Sequence, residues 1–306
     1  MSVQFGFVVA AGPDREAPER YLDDLDRHKV AIERQFSSLW MTDHFFWEDA
    51  PTYEAWTAMA YLAARFPAMQ VGPMVLGQSY RNPAVLAKMA ATLQQLSGGR
   101  FIMAIGAGWK EDEYRAYHIP YPPLKTRLEE LEDTLEILKR LWTEPGKVTY
   151  HGKHYSVDDA WCEPKPLPVP PIIVGGGGRT TLRLAARYAD WWNIPDAAWE
   201  KYSTRLSLLK EQCAAVGRDE ATLRKTWFGR LSVGATEAEA EARSAGKWTA
   251  ANSFTGTRDQ VVELMRPFVE AGVDYFMVEV LDYAEPGVLD RVAEIQQAVG
   301  EIASRR

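Results

Sequence analysis

Asp43 and His44 are the pair with the clearest potential for acid–base chemistry in this sequence. A histidine exchanges its proton near neutral pH, and a neighbouring carboxylate can anchor a hydrogen-bond donor of a ligand. The pair alone fits a capped turn equally well, but three aromatic residues follow it at once, Phe45, Phe46 and Trp47. This apolar wall favours a site in which His44 is catalytic and Trp47 lines a substrate pocket.

A run of four glycines marks a second candidate site, formed by Gly175, Gly176, Gly177 and Gly178. Glycines let the backbone approach an anion, and the helix expected after the run offers unpaired N–H groups at its positive end. A tight turn needs fewer glycines, so the run predicts a phosphate site, with Arg179 and Thr180 as further donors. The Gly-Lys-Ser/Thr ending of a Walker motif is missing from this segment.

A third, weaker signal is Gly106-Ala107-Gly108, which resembles the start of a dinucleotide fingerprint without its third glycine. At the end of a strand, Gly106 and Gly108 would clear space for a flat ring, and Trp109 would border the pocket.

Four further polar residues have less defined roles. Lys110, His151 and His154 are expected to be solvated, and no metal site is predicted. Arg230 lies within a predicted strand, where it either reaches an anionic group or pairs with an acidic side chain.

The elements that must position these residues alternate between short β-type runs and helical periodicities. Strands are predicted at 4–10, 36–41, 69–76, 101–105, 171–174, 191–194, 226–233 and 274–280. Eight strand–helix repeats predict a closed (β/α)8 TIM barrel, with a doubly wound open sheet as the alternative. In such a barrel, residues that follow strand ends meet at the carboxyl-terminal face. We expect one domain over 1–306, with loop insertions at that face and a loop or hairpin at about 143–170.

The composition narrows the class of protein further. The 35 basic and 42 acidic residues give a net charge of −7, which disfavours binding to nucleic acid or to an anionic membrane. Cys162 and Cys213 are far apart, which excludes a disulfide framework and suits a reducing cytoplasm. No apolar stretch approaches the ~18 residues that span a bilayer. The first residues do not resemble a signal peptide, so we expect a cytoplasmic protein.

Four segments, in order along the chain, resemble the bacterial luciferase-like monooxygenase superfamily. They are FSSLWMTDHF at 36–45, YRNPAVLAK at 80–88, LSGGRF at 96–101 with GAGW at 106–109 and Glu113-Tyr114, and PIIVGGGG at 171–178 with LRLAARYAD at 182–190. The combination is specific, although each piece alone is not. The second segment and the glycine run are most similar to the subgroup described as probable F420-dependent oxidoreductases.

This resemblance implies a (β/α)8 barrel that binds FMN or the deazaflavin coenzyme F420 at its carboxyl-terminal face, and it implies a homodimer. Asp43 would contact the deazaflavin ring, and His44 would lie beside its reactive carbon. The phosphate would rest on the glycine run, and Arg179 and Arg183 could meet an acidic cofactor tail. Glu113 is the second candidate for handling the proton.

A strained, often cis, peptide behind the ring is a further implied feature of the family. It maps here to about Gly72, Pro73 and Met74. Proline stands at position 73 where the family commonly has threonine, so a hydroxyl contact to the ring is lost there.

The first functional hypothesis is an F420-dependent oxidoreductase that transfers a hydride between F420 and a small organic substrate. The second is an FMN-dependent monooxygenase that uses reduced flavin and O2. A non-catalytic flavin or deazaflavin carrier is the third, and an unrelated barrel lyase or isomerase is the fourth. The residues alone do not decide between F420 and FMN.

Overall fold

A computed structural model describes residues 3–48, 50–244, 248–249 and 252–305 of the chain. Its strands are β1 (Gln4–Val8), β2 (Ser38–Met41), β3 (Gln70–Pro73), β4 (Leu76–Gly77), β5 (Met103–Gly106), β6 (Lys147–His151), β7 (Ser156–Trp161), β8 (Ile172–Gly175), β9 (Trp191–Pro195), β10 (Arg224–Gly234), β11 (Phe254–Thr257) and β12 (Val273–Val280). Its helices are α1 (Arg20–Gln35), α2 (Ala55–Arg65), α3 (Pro83–Leu96), α4 (Glu111–Ala116), α5 (Leu124–Thr143), α6 (Arg179–Tyr188), α7 (Trp199–Ala215), α8 (Glu237–Arg243), α9 (Arg258–Glu270) and α10 (Val288–Ser304).

The parallel strands form a barrel of eight staves. Their spatial order is β3-β2-β1-β12-β10-β9-β8-β5-β4, and β4 continues the stave that β3 begins. A parallel bridge between Val71 and Phe101, together with the pairing of β4 with β5, closes the ring. The predicted (β/α)8 barrel is confirmed, and the doubly wound open sheet was the wrong alternative.

Local signals set the ends of several helices. Asn82 caps α3 by accepting from the N–H groups of Ala84 and Val85, and Pro83 occupies the first turn, where no N–H is needed. Thr257 and Gln260 form a capping box at the start of α9. These caps satisfy backbone groups that a helix leaves unpaired at its start.

Two apolar layers hold the barrel together. The larger layer lies between the strands and the helices. A smaller cluster fills the interior of the barrel, and its buried members are Val8, Trp40, Met74, Ile102, Ala104, Ile173, Phe228, Tyr275 and Met277. Because side chains occupy the interior, a ligand can enter only above them, at the ends of the strands.

Strand β11 differs from the sequence-based expectations, whereas the hairpin in the segment 143–170 agrees with them. Strand β11 was not predicted, and it pairs with the end of β10 from Leu231 to Gly234. The segment 143–170 contains the antiparallel hairpin β6–β7, and its turn packs beside α5 through hydrogen bonds from the backbone of Lys153, His154 and Tyr155 to Asp133. The hairpin therefore flanks α5 instead of covering the mouth of the barrel.

Among the described residues, no helix is both long enough and apolar enough to cross a membrane.

Candidate active site

His44 and Glu113 meet at the carboxyl-terminal end of the barrel. His44 follows β2, and Glu113 lies in the short helix α4 after β5. His44 Nδ1 lies 2.9 Å from Glu113 Oε2, although the two residues are 69 positions apart. The His44 side chain is 14% exposed and that of Glu113 is fully buried. Nδ1 of His44 is thus held by the buried Glu113, while the imidazole ring borders the mouth of the barrel.

The carboxylate of Glu113 is stabilised by four donors. Its Oε1 accepts from the N–H groups of Phe45 at 2.6 Å and Phe46 at 3.1 Å, and its Oε2 accepts from the Tyr80 hydroxyl at 3.0 Å and from His44. Burial alone would raise the pKa of Glu113. The hydrogen bonds from His44 and the two backbone groups outweigh burial and lower this pKa below its ordinary value. Glu113 is therefore ionised at neutral pH.

An ionised Glu113 fixes the tautomer of His44. A carboxylate can only accept hydrogen bonds, so Nδ1 of His44 carries a proton. Burial, together with Tyr114 and Glu113, raises the pKa of Tyr80 far above its ordinary value, so Tyr80 also remains a donor. Nε2 is the nitrogen of His44 that is left to exchange a proton with a ligand.

Trp47 and Trp109, which were expected to line a substrate pocket, stand beside His44. The centroids of Trp47 and Trp109 lie 5.1 and 5.7 Å from that of the His44 ring, both in edge-on contact. Both indoles remain partly exposed, at 42% and 63%. Lys110 was expected to be solvated, and this expectation was wrong because Lys110 is buried. Its Nζ lies 4.2 Å from the Phe46 ring centroid and 2.5 Å from a carboxylate oxygen of Asp112.

Asp43 is buried and engaged by protein donors. Its carboxylate accepts from Arg81 at 2.9 and 3.1 Å and from the N–H group of Gly77 at 3.0 Å. Arg81 also bonds Glu54, which caps α2. These contacts tie the loop after β2 to the segment after β4. Asp43 thereby positions His44, whatever it contributes to a ligand.

At the bottom of the barrel mouth, Gly106 and Gly175 pack against the side chain of Val75. A Cβ added at Gly106 or at Gly175 would lie 3.0 or 3.1 Å from the Val75 side chain. The peptide bond between Met74 and Val75 is cis, one residue beyond the expected segment. Gly72, by contrast, faces the Trp40 ring, whereas the Val75 side chain packs against Gly106 and Gly175.

The glycine run forms the turn between β8 and α6. Gly176 has a φ of +125°, a conformation that favours glycine, and Gly178 is the N-cap of α6. The φ of Gly177 is not positive, and a Cβ there would lie 2.8 Å from Ile194 and 3.2 Å from Arg205. The left-handed backbone conformation of this turn therefore belongs to Gly176.

The structure also places the side chains that were expected to assist the glycine turn. Arg179 is exposed and lies 3.3 Å from Glu211 of α7. Thr181, and not Thr180, approaches Gly176 and Gly178. Arg205 lies against Gly177 and makes no ion pair or hydrogen bond with any residue in the described part of the chain. The Cγ and Cδ atoms of Arg205 pack against Gly177, so its side chain lies beside the glycine turn.

Gly108 serves the packing of the site. Its φ is +73°, and a Cβ at this position would overlap the Tyr114 hydroxyl. That hydroxyl accepts from Ser79 at 3.1 Å. Glycine at position 108 therefore lets α4, which carries Glu113, approach the end of β5.

Arg230 pairs with acidic side chains, which settles the alternative that the sequence left open. Its Nη1 bonds both oxygens of Asp196 at 3.1 and 3.0 Å, and its Nε lies 2.9 Å from Glu279 Oε2. The ring centroid of Trp248 lies 4.1 Å from the guanidinium carbon. This cluster joins Arg230 within β10 to Asp196 just after β9 and to Glu279 near the end of β12.

Three residues of the site do not stand out in the sequence. Val75 carries no polar signal, and Arg81 lies in the segment 80–88 without a role that its neighbours would indicate. Arg205 had a usable signal, since it lies at helical spacing from Tyr202 and Leu209, which are both buried in α7. A cation on a buried helix face needs a partner or a ligand.

The comparisons with known proteins agree with this architecture. The family model described as luciferase-like monooxygenase matches residues 3–254. A curated relative from Kineococcus radiotolerans, named F420-dependent glucose-6-phosphate dehydrogenase, is 33% identical over 218 residues, which cover 69% of this chain and 64% of that protein. An FMNH(2)-dependent dimethylsulfone monooxygenase from Pseudomonas putida is 32% identical over 138 residues, covering 44% of this chain and 38% of that protein.

A solved structure shares the whole fold. It is an F420-dependent secondary alcohol dehydrogenase in complex with an F420-acetone adduct, with a TM-score of 0.84 and 21% sequence identity. The superposition covers 98% of this chain and 99% of that chain.

Proposed function

The chain belongs to the luciferase-like monooxygenase family, and we propose that it is an oxidoreductase that transfers a hydride between F420 and a small organic substrate. The observation that carries this proposal is His44, held by ionised Glu113 with Nε2 left for a ligand, at the same barrel end as Gly106 and Gly175. The relatives named as F420-dependent support the choice of cofactor.

The residues present fit a flat cofactor with a phosphate. Gly106 and Gly175 carry no side chains and the apolar Val75 side chain packs against them, and together they accommodate a ring system. Gly176, the first turn of α6 and Arg205 suit an anionic group. When bound, F420 supplies a carbon that accepts or donates a hydride.

His44 handles the proton that accompanies the hydride. In the oxidation of an alcohol, a C–H bond yields the hydride, and the O–H proton passes to Nε2 of His44, leaving a carbonyl. In the reverse direction Nε2 returns the proton to the oxygen. Glu113 stabilises the resulting imidazolium and keeps the ring oriented, while Trp47 and Trp109 shield the reacting atoms from water.

The second candidate is an FMN-dependent monooxygenase, which the dimethylsulfone monooxygenase from Pseudomonas putida favours. Titration calorimetry with F420 and with FMN decides between the two cofactors. We expect F420 to bind more tightly than FMN. Micromolar binding of FMN without any heat from F420 would overturn the proposed function.

We also propose a cellular compartment and an assembly state for the protein. Cys162 and Cys213 are both buried and free, which supports a reducing compartment such as the cytoplasm. We propose a homodimer, with neither nucleic acid nor membrane as a partner. Sedimentation velocity of the purified protein tests the homodimer directly.

A further inference from the structure

The barrel mouth also contains a polar cluster that takes no part in the proposed proton transfer. Its members are Arg230, Asp196, Glu279 and Trp248. Phe228 and Met277 belong to the cluster inside the barrel. Side chains two positions apart on a strand share a face, so Arg230 of β10 and Glu279 of β12 point to the same inner side as Phe228 and Met277, toward the mouth. They stand on β10 and β12, while His44 and Glu113 come from the β2 and β5 side.

We propose that this cluster selects the substrate, and that it selects an uncharged hydroxyl or carbonyl compound over a phosphorylated one. The proposal rests on the proposed function, because it assigns the substrate class of the same site. One guanidinium faces two carboxylates, Asp196 and Glu279, at hydrogen-bond distance. The cluster therefore has a formal charge of −1, or of zero if one carboxylate is protonated, and it offers no net positive charge to a phosphate.

The hydrogen bonds of the cluster explain why Arg230 is not free to turn toward an anion. Nη1 and Nε are taken by the carboxylates, and Trp248 covers one face of the guanidinium. Burial raises the pKa of Glu279 and of Asp196, which Arg230 only partly offsets. A neutral substrate can accept from the remaining edge of Arg230 without adding negative charge beside these carboxylates.

Two other cations at this end of the barrel are paired in the same manner. Arg81 faces Asp43 and Glu54, and Lys110 faces Asp112. Arg205, which has no ion-pair partner within the described ranges, lies at the glycine turn assigned to the cofactor. The mouth thus separates an anion-binding turn from a substrate side without net positive charge.

The test uses three proteins in which first the two carboxylates of the cluster and then the guanidinium are replaced. They are the parent, the double variant Asp196→Asn/Glu279→Gln and the triple variant that adds Arg230→Gln. The amides keep oxygen acceptors for Arg230, so the double variant retains the hydrogen bonds while it frees the positive charge. Inorganic phosphate is the probe, and tryptophan fluorescence is the readout, because Trp248 stacks on Arg230.

We expect the double variant to bind phosphate about tenfold more tightly than the parent, and the triple variant to return to the parental affinity. Phosphate binding at the glycine turn is common to all three proteins and cancels. Parental binding as tight as that of the double variant, and lost in the triple variant, would overturn the proposal.

A second titration with glucose and glucose 6-phosphate addresses the substrate class. We expect the parent to bind glucose 6-phosphate no more tightly than inorganic phosphate. Submillimolar binding that Arg230→Gln abolishes would contradict the proposal. These titrations contain no F420, so a failure of the proposed function would appear separately, as absent F420 binding.

Discussion

His44 is set apart from the other histidines by its neighbours and not by its type. Nδ1 is held by the buried Glu113, and the ring is bordered by Trp47 and Trp109. His154, in contrast, bonds Glu129 beside α5, and His151 is an exposed residue of β6. A proton-transfer role is therefore assigned to His44 by its surroundings.

Replacement of His44 tests that role. His44→Ala should leave the affinity for F420 nearly unchanged and slow turnover by about 10²–10⁴-fold, the usual contribution of a positioned acid–base group. His44→Gln should behave similarly, because it keeps a polar group that does not exchange a proton near neutral pH. The measurements are kcat and the Kd for F420. Turnover within about threefold of the parent would instead make His44 a structural residue.

Glu113 links the site to stability and pH. Its pKa is lowered in the folded protein, so its ionised form stabilises the fold above the unfolded pKa of about 4.3, and this contribution is lost as the pH falls through the lower folded pKa. Glu113→Gln should lower the free energy of unfolding at pH 7 by about 1–3 kcal/mol. The gap to the parent should narrow below about pH 4. Urea unfolding at pH 7 and pH 3.5 measures the difference in unfolding free energy between parent and variant. A difference that grows in acid would contradict this account.

At the scale of elements, the turn between β8 and α6 combines strained backbone with a helix N-terminus. Gly176 has a φ of +125°, and a Cβ would lie 3.1 Å from Thr181. Gly217, which follows α7, also has a positive φ of +70°, but nothing lies within 4 Å of its Cβ position. Substitution of Gly217 reports backbone strain alone, whereas substitution of Gly176 reports backbone strain together with any effect on ligand binding.

Gly176→Ala and Gly217→Ala form a matched pair for this turn. Both substitutions should destabilise the protein by about 1 kcal/mol, because alanine disfavours a positive φ. Gly176→Ala alone should weaken F420 binding, by about tenfold, through displacement of the phosphate turn. Calorimetric titration measures the affinity, and thermal unfolding measures the strain. Equal F420 affinities in the two variants would place the phosphate elsewhere.

At the scale of the whole molecule, the inner cluster supports the floor of the site. Trp40 is 1% exposed, and its Nε1 donates to Ser38 Oγ, which in turn lies 2.5 Å from the Tyr275 hydroxyl. The cluster also contains Met74, the residue before Val75. Stability and site geometry therefore depend on the same packed interior.

Trp40→Ala should lower the free energy of unfolding by about 3–5 kcal/mol, as expected for a buried tryptophan. Leu96→Ala is the control, because Leu96 is 83% exposed and its loss should cost less than about 0.5 kcal/mol. If the chain is one domain, as we propose, far-ultraviolet circular dichroism and tryptophan fluorescence should show one coincident transition in urea. Two separate transitions would contradict the single domain.

The sequence by itself determined the repeating strand and helix pattern, the glycine run between a strand and a helix, and the position of His44 at a strand end. These are local properties, because periodicity, capping residues and glycine runs act over a few neighbouring positions. They were sufficient for the eight-stave barrel and for the end of it that bears the site. The resemblance to a family then supplied the type of cofactor.

Only the tertiary structure decided which side chains meet. Barrel closure brings Glu113 to His44 across 69 positions, Arg81 to Asp43, and Asp196 and Glu279 to Arg230. It also buries Lys110 and packs Val75 against Gly106 and Gly175. Such contacts depend on strand register and on the order of staves around the ring, which no local pattern in the sequence encodes.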